Sequence, residues 1–231
     1  MKKIKKFIIL IAVFMIAILM MGQMNFGKAN GMLTNYQKQQ NYQKQENLQN
    51  TLAQKIIRFH VIADNDSDAS QQLKIKVKDK TLVYLKTLFT GKEDLETTRE
   101  IIEENLSNIE NFALAVVKSE GYEYNVSAGL ETCYFPIKEY GSLIFPAGYY
   151  KALRIKLGKA EGRNWWCVMY PNLCFVDGTY AVVSDEVKET LAGMLTPEEY
   201  HMLLDGSKTK VSFKYLDDIK DFIKKNNIKI P

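Results

Sequence analysis

Two histidines and three cysteines in 231 residues leave little material for a metal centre. A structural zinc site takes about four ligands, usually supplied as close Cys or His pairs. Here six residues separate Cys167 from Cys174, Cys133 stands apart, and His60 and His201 are distant from each other. That spacing argues against zinc. Also missing are a P-loop, a G-x-S-x-G elbow, a His-Glu-x-x-His pair and a Rossmann glycine pattern, which removes the motif-defined nucleotide, hydrolase and metalloprotease classes. Charge of one sign is lacking too. Lys and Arg number 31 against 27 acidic residues, and Lys2, Lys3, Lys5 and Lys6 account for the difference. A neutral body offers no electrostatic footprint for nucleic acid. No cofactor is expected, and no internal repeat is visible.

One long hydrophobic run is present. The four leading lysines precede an uncharged apolar stretch from Phe7 to Gly22, the pattern of a basic n-region and an h-region in an export signal. Gly27 and Ala29 weakly match a small-residue cleavage site. Uncleaved, Phe7 to Gly27 is close to the roughly 20 residues that span a bilayer. Residues 1–27 are therefore expected to be a signal peptide or a membrane anchor, with the rest outside the cytoplasm. Residues 28–53 are expected to be a spacer, because NYQKQQNYQKQENLQN carries almost no large aliphatic residue and reads as solvated chain or a frayed polar helix.

Residues 54–231 are expected to form one domain of ordinary size. Ile56 to Ala63 reads as a buried strand followed by the turn-rich DNDSDAS. Asp68 and Gln71 suggest a capping box opening a helix with Leu73, Val77, Tyr84, Leu85 and Leu88 on one face and Lys74, Lys76, Lys78 and Lys80 on a solvated one. Thr97 and Glu100 suggest a second box, with a helix from Thr98 to Lys118 ended by Gly121. Then Tyr124 to Leu130 and Leu153 to Leu157 alternate as half-buried strands, with Phe145-Pro146-Ala147-Gly148 as a turn between them. Helices are expected from Ser184 to Met194 and from Pro197, then a strand at VSFKY and a helix from Leu216 to Asn226. The sum is an α+β domain, a mostly antiparallel sheet with helices packed on one face.

The stretch NWWCVMYPNLCF concentrates the chemistry. In an oxidising compartment Cys167 and Cys174 can pair, since Tyr170-Pro171-Asn172 supplies a turn that brings their Cα atoms within about 7 Å. Free buried thiols, or Cys133 pairing with either cysteine, remain open. Cys133 and His60 are the candidates for a thiol nucleophile and its base, though a histidine in an apolar strand is more often a core residue. Trp165 and Trp166 are adjacent, so on a strand they point to opposite faces. Asp64, Asp66 and Asp68 could hold calcium, but without the EF-hand pattern turn and cap roles explain them equally well.

Three segments, IRFHVIADNDSD with LKIKVKD, PAGYYKALRIKLG, and GRNWWCVMYPNLCFVD, together resemble the stage II sporulation protein R family from about Ile56 to Asp177. Family members typically have Gly where this chain has Ala160. The resemblance implies a protein exported into the space between forespore and mother cell. There it would trigger a membrane-embedded aspartic peptidase of the mother cell, which processes pro-sigma-E. It implies a signal that binds and does not catalyse. The candidate contacts are Trp165, Trp166, Arg163 and Tyr170, with Arg58 and His60 as a second group. The alternative is an extracytoplasmic enzyme, a cell-wall or thiol hydrolase, using Cys133 or the Asp64 and Asp66 carboxylates.

Overall fold

The computed structural model describes residues 35–174 and 183–204. The expected leader, the VSFKY strand and the Leu216–Asn226 helix lie outside these residues. Two units divide the chain. In the first, described residues 35–47 are helical, with Gln43 donating to Asn47 Oδ1 at 3.5 Å. The polar run thus takes the helical alternative. The second unit starts at Leu48 with helix α1 (residues 48–55), whose Leu48 and Leu52 are buried.

Strand β1 (Ile57–Ile62) is buried at every position. It leads into α2 (Asp68–Leu88), α3 (Leu95–Glu104) and α4 (Leu106–Ser119), then β2 (Val126–Phe135), β3 (Lys138–Tyr140), β4 (Leu143–Phe145), β5 (Gly148–Leu157), β6 (Asn164–Tyr170), α5 (Asp185–Met194) and α6 (Pro197–Leu204). The main sheet has the order β2-β5-β1-β6, and β3 and β4 pair separately as a hairpin. β2–β5 and β1–β6 are antiparallel, while β1 runs parallel to β5. The α+β class and mostly antiparallel sheet are as expected. The central parallel pair is not visible in residue alternation, because it depends on where the three-helix crossover returns the chain.

Local signals placed the helices to within a few residues. Ser67, not Asp68, caps α2, accepting from Ser70 N–H. Asp94, not Thr97, caps α3, accepting from Thr97 N–H at 2.8 Å. In both cases the capping side chain lies earlier than the box suggested. The single helix expected from Thr98 to Lys118 is two, broken at Asn105, although Ile102, Ile109, Ala113 and Val116 keep one buried stripe across the break. α4 ends in a Schellman motif: Gly121 N–H reaches Lys118 O, Tyr122 N–H reaches Val117 O, and Gly121 takes φ 83°.

Strand parity sorts the sheet into two unlike faces. Phe59, Val61, Leu153, Ile155, Leu130 and Trp165 share the face under α2 and α4. Two of the four expected surface lysines are not solvated there. Lys74 is buried, donating to Gln71 Oε1 at 2.6 Å and to the Arg163 carbonyl at 3.1 Å. Lys78 Nζ sits 5.1 Å from the Trp165 ring centroid. Lys76 and Lys80 keep to the surface and both bridge to Glu120. Amphipathic stems let lysine cover apolar surface in this way.

At one end of the sheet the β1–α2 loop clasps the β5–β6 loop. Asp64 Oδ1 accepts from Lys159 N–H at 2.7 Å, Glu161 N–H donates to Asp64 O, and Gly162 N–H donates to Ala63 O. A Cβ on Gly162 would come within 2.2 Å of the Asn65 carbonyl, so only glycine permits the approach. Ala160 in this loop has φ 55°, a left-handed conformation that costs an L-residue roughly 1–2 kcal/mol. Ala160→Gly is therefore expected to raise unfolding stability by up to about 1 kcal/mol, after the loss of chain entropy in the unfolded state is deducted. Gly162→Ala should lower it. Urea denaturation of both variants checks the pair.

Candidate functional site

The second face of the sheet carries the unusual chemistry. Arg58, on β1, is fully buried. Its guanidinium carbon lies 4.3 Å from the Phe135 ring centroid, 5.2 Å from those of Phe145 and Tyr150, and 5.8 Å from that of Tyr140. Nε donates to the Cys167 carbonyl at 2.9 Å and Nη2 to the Tyr140 hydroxyl at 3.1 Å. That hydroxyl in turn donates a hydrogen bond to the Trp166 carbonyl at 3.1 Å. No carboxylate among the described residues pairs with Arg58. Burial pulls its pKa down, yet arginine starts so high that the group stays charged. Burial in turn pushes the Tyr140 and Tyr150 phenols up, so both rings stay neutral faces for the cation.

Two residues along β1, His60 lies between Trp166 on β6 and Arg154 on β5, its register partners. The imidazole stacks on the Trp166 indole at 3.9 Å and 20°, and Phe135 meets Trp166 edge-on at 4.7 Å. Lys138 Nζ stands 5.9 Å from the indole centroid. Trp166 is thus a half-buried platform backed by His60 and Phe135. Arg154 and Lys156 both pair with Glu131 on the same face, at 3.1 and 2.7 Å. Burial opposes the Glu131 charge, but these two cations outweigh it and lower its pKa.

Cys133 also reaches this face. Its Sγ is 3.9 Å from His60 Nδ1, and Asn164 lies on the same face at the start of β6, although His60 Nε2 and Asn164 Oδ1 are both buried without a hydrogen-bond partner among the described residues. Cys, His and Asn together have the composition of a thiol-hydrolase triad, and Asn164 was not singled out from sequence. Its signal was its parity with Trp166. The electrostatics run against activation. Burial drives the His60 pKa from 6.5 down to about 3 and raises that of the Cys133 thiol. A neutral thiol beside a neutral imidazole, at 3.9 Å, is not a thiolate–imidazolium pair.

The six expected contact residues do not form one patch. Trp166, His60 and Arg58 share a face, with His60 and Arg58 buried beneath the surface. Trp165 is on the opposite face, edge-on to Phe59 at 5.5 Å. Arg163 is exposed at the start of β6, its N–H donating to Asp66 Oδ1. Tyr170 ends the same strand, its peptide to Pro171 cis. A seven-residue strand separates these two by about 20 Å. Cys167 and Cys174 are disulfide-bonded with Cα atoms 5.8 Å apart, and Cys133 is free. The acidic loop serves turn and clasp, with Asn65 Oδ1 accepting from Ser67 N–H at 2.8 Å. Among the described residues no three His, Cys, Asp or Glu side chains gather as a metal site.

Comparison with known proteins fits this sheet and its clasp loops into a known group. The family model described as stage II sporulation protein R matches residues 53–180, from α1 past the disulfide. The chain is 33% identical over 162 residues to stage II sporulation protein R of Bacillus subtilis (strain 168), covering 69% of this chain and 72% of that protein. No solved structure matches.

The lowered His60 pKa has a pH consequence. Between about pH 6.5 and pH 3 the unfolded chain binds a proton at His60 that the folded chain does not. Stability therefore falls as pH drops through that window and is unaffected by this group above it. His60→Phe should remove a few kcal/mol of that acid sensitivity. Urea midpoints from pH 7 to pH 4 should be flatter in the variant than in the unmodified chain.

Proposed function

The chain belongs to the stage II sporulation protein R family, and from that membership we propose that it is an exported signal, activating a membrane-embedded aspartic peptidase of the mother cell by binding. That peptidase then processes pro-sigma-E. A role in sporulation follows from the family itself. The finer reading rests on one observation: the Trp166 platform, held from beneath by His60 and Phe135 and flanked by Lys138. A rigid, partly exposed indole is the type of group that dominates binding energy at interfaces. The leading lysines and apolar run support export.

Activation by binding means that the ligand prefers one arrangement of the receptor over another. Shifting a receptor from mostly off to mostly on takes about 5.5 kcal/mol of differential affinity. One desolvated tryptophan with a few supporting contacts can supply that much. Trp166→Ala should abolish activation in membranes holding the peptidase, while export and the circular dichroism spectrum are kept and the urea midpoint falls, because the indole is lost from between His60 and Phe135. Arg163→Ala and Tyr170→Ala, at the two ends of β6, should have smaller effects. Normal activation by Trp166→Ala would remove the platform as the contact.

The grouping of Cys133, His60 and Asn164 favours a second reading, a thiol hydrolase whose resting site is not activated. Titration of chain against peptidase separates the two. A ligand activates in proportion to its amount and tolerates Cys133→Ala; an enzyme acts at trace amounts and does not.

A further inference from the structure

An edge strand presents a row of free N–H and C=O groups, and native sheets cover or interrupt it. On β6 the Trp166 and Val168 carbonyls share the outer edge. Both are taken, by the Tyr140 hydroxyl at 3.1 Å and the Cys174 N–H at 3.0 Å. On β2 the parity is fixed twice. Ala128 N–H turns away from β5 to Glu110 Oε2 at 2.9 Å, and the Asn125 carbonyl accepts from Gly158 N–H at 2.8 Å, extending the ladder inward. Odd-numbered residues therefore pair with β5, and even-numbered residues face outward.

The outward row is Ala128, Leu130, Thr132, Tyr134 and then Pro136. Ala128 has its N–H occupied, and Pro136 has none. Between these stops the backbone groups of Leu130, Thr132 and Tyr134 make no hydrogen bond among the described residues. The open window is symmetric about Thr132. Beside it, Tyr134 and Tyr149 form a T-shaped pair at 5.6 Å, left 52% and 65% exposed.

We propose that this window is a self-pairing edge, with two copies of the chain joined β2 to β2, antiparallel, about a two-fold axis through Thr132. An isologous contact requires a patch complementary to itself, and this register provides one. Thr132 meets Thr132 of the second copy, a favourable cross-strand pair, and Leu130 meets Tyr134. Glu131, the charged side chain in the window, faces Cys133 and no like charge. The neighbouring registers are worse. An axis through Glu131 opposes two carboxylates and uses the occupied Ala128 N–H; an axis through Cys133 sets Leu130 against Pro136. The tyrosine pairs of the two copies flank the seam and bring large, low-entropy contact area.

The full-length chain in mild detergent tests this by sedimentation and by cross-linking. At the hydrogen-bonded centre of an antiparallel pair the Cα atoms are about 5.5 Å apart, inside the range that a disulfide bridges. With a mild thiol oxidant accepting the two electrons, Thr132→Cys should give a covalent dimer. Lys151→Cys, one strand further in, should not. Thr132→Lys sets two charges against each other and should weaken the dimer at least about tenfold, with the circular dichroism spectrum unchanged. The unmodified chain remaining monomeric to about 100 µM, equal cross-linking of both cysteine variants, or a dimer indifferent to Thr132→Lys would each overturn the proposal. These readouts involve no peptidase, so they stand apart from the signalling reading.

Discussion

The buried guanidinium of Arg58 organises the candidate functional face. Arg58 sits where water cannot reach it, held by four aromatic rings and two hydrogen bonds in place of a carboxylate. Burying a charge is costly unless its environment replaces the lost hydration. Aromatic faces do so in part, each attracting the cation through its quadrupole. The requirement fixes much else: Phe135 and Tyr150 on the sheet, Tyr140 and Phe145 on the β3–β4 hairpin, and the Cys167 carbonyl must all converge on one guanidinium. The hairpin is too short to be stable alone. Its two aromatic residues on Arg58 tie it to the sheet.

The same network reaches the surface. Arg58 holds the Tyr140 hydroxyl, which holds the Trp166 carbonyl and occupies part of the β6 edge. The disulfide turn occupies the next carbonyl along. Two outward carbonyls of β6 are thereby occupied, and the Trp166 side chain is stacked on a histidine that burial keeps neutral. A neutral imidazole stacks without desolvating a charge. The features that weaken Cys133 and His60 as a catalytic pair are those that make His60 a good support for an indole.

Much of the frame was legible from residue order. The buried strand at β1, the stripes of α2 and α4, the glycine after α4 and the proline opening α6 are local signals, and local geometry honours them. Errors of one to three residues at the caps of α2 and α3 reflect several polar side chains competing for the same N–H groups. The β3–β4 hairpin gave no periodic signal, because three-residue strands are shorter than any pattern. Residue type alone places Lys74 and Lys78 in solvent, because it does not reveal a carbonyl or an indole arriving from β6 and its loop.

What the sequence by itself determined is whatever depends on near neighbours: the helices and their stops, the alternation of β2 and β5, the opposite facing of Trp165 and Trp166, and a cysteine pair spaced for a short loop. Tertiary structure alone decided that β1 runs parallel to β5, that Arg58 is a buried cation, that Cys133 lies beside His60, and which sheet edge is left unpaired among the described residues. Those outcomes depend on residues brought together across as many as 109 positions of chain. Side-chain identity specifies what a group can bind. Only the closed fold specifies which partners reach it and how much water is left beside it.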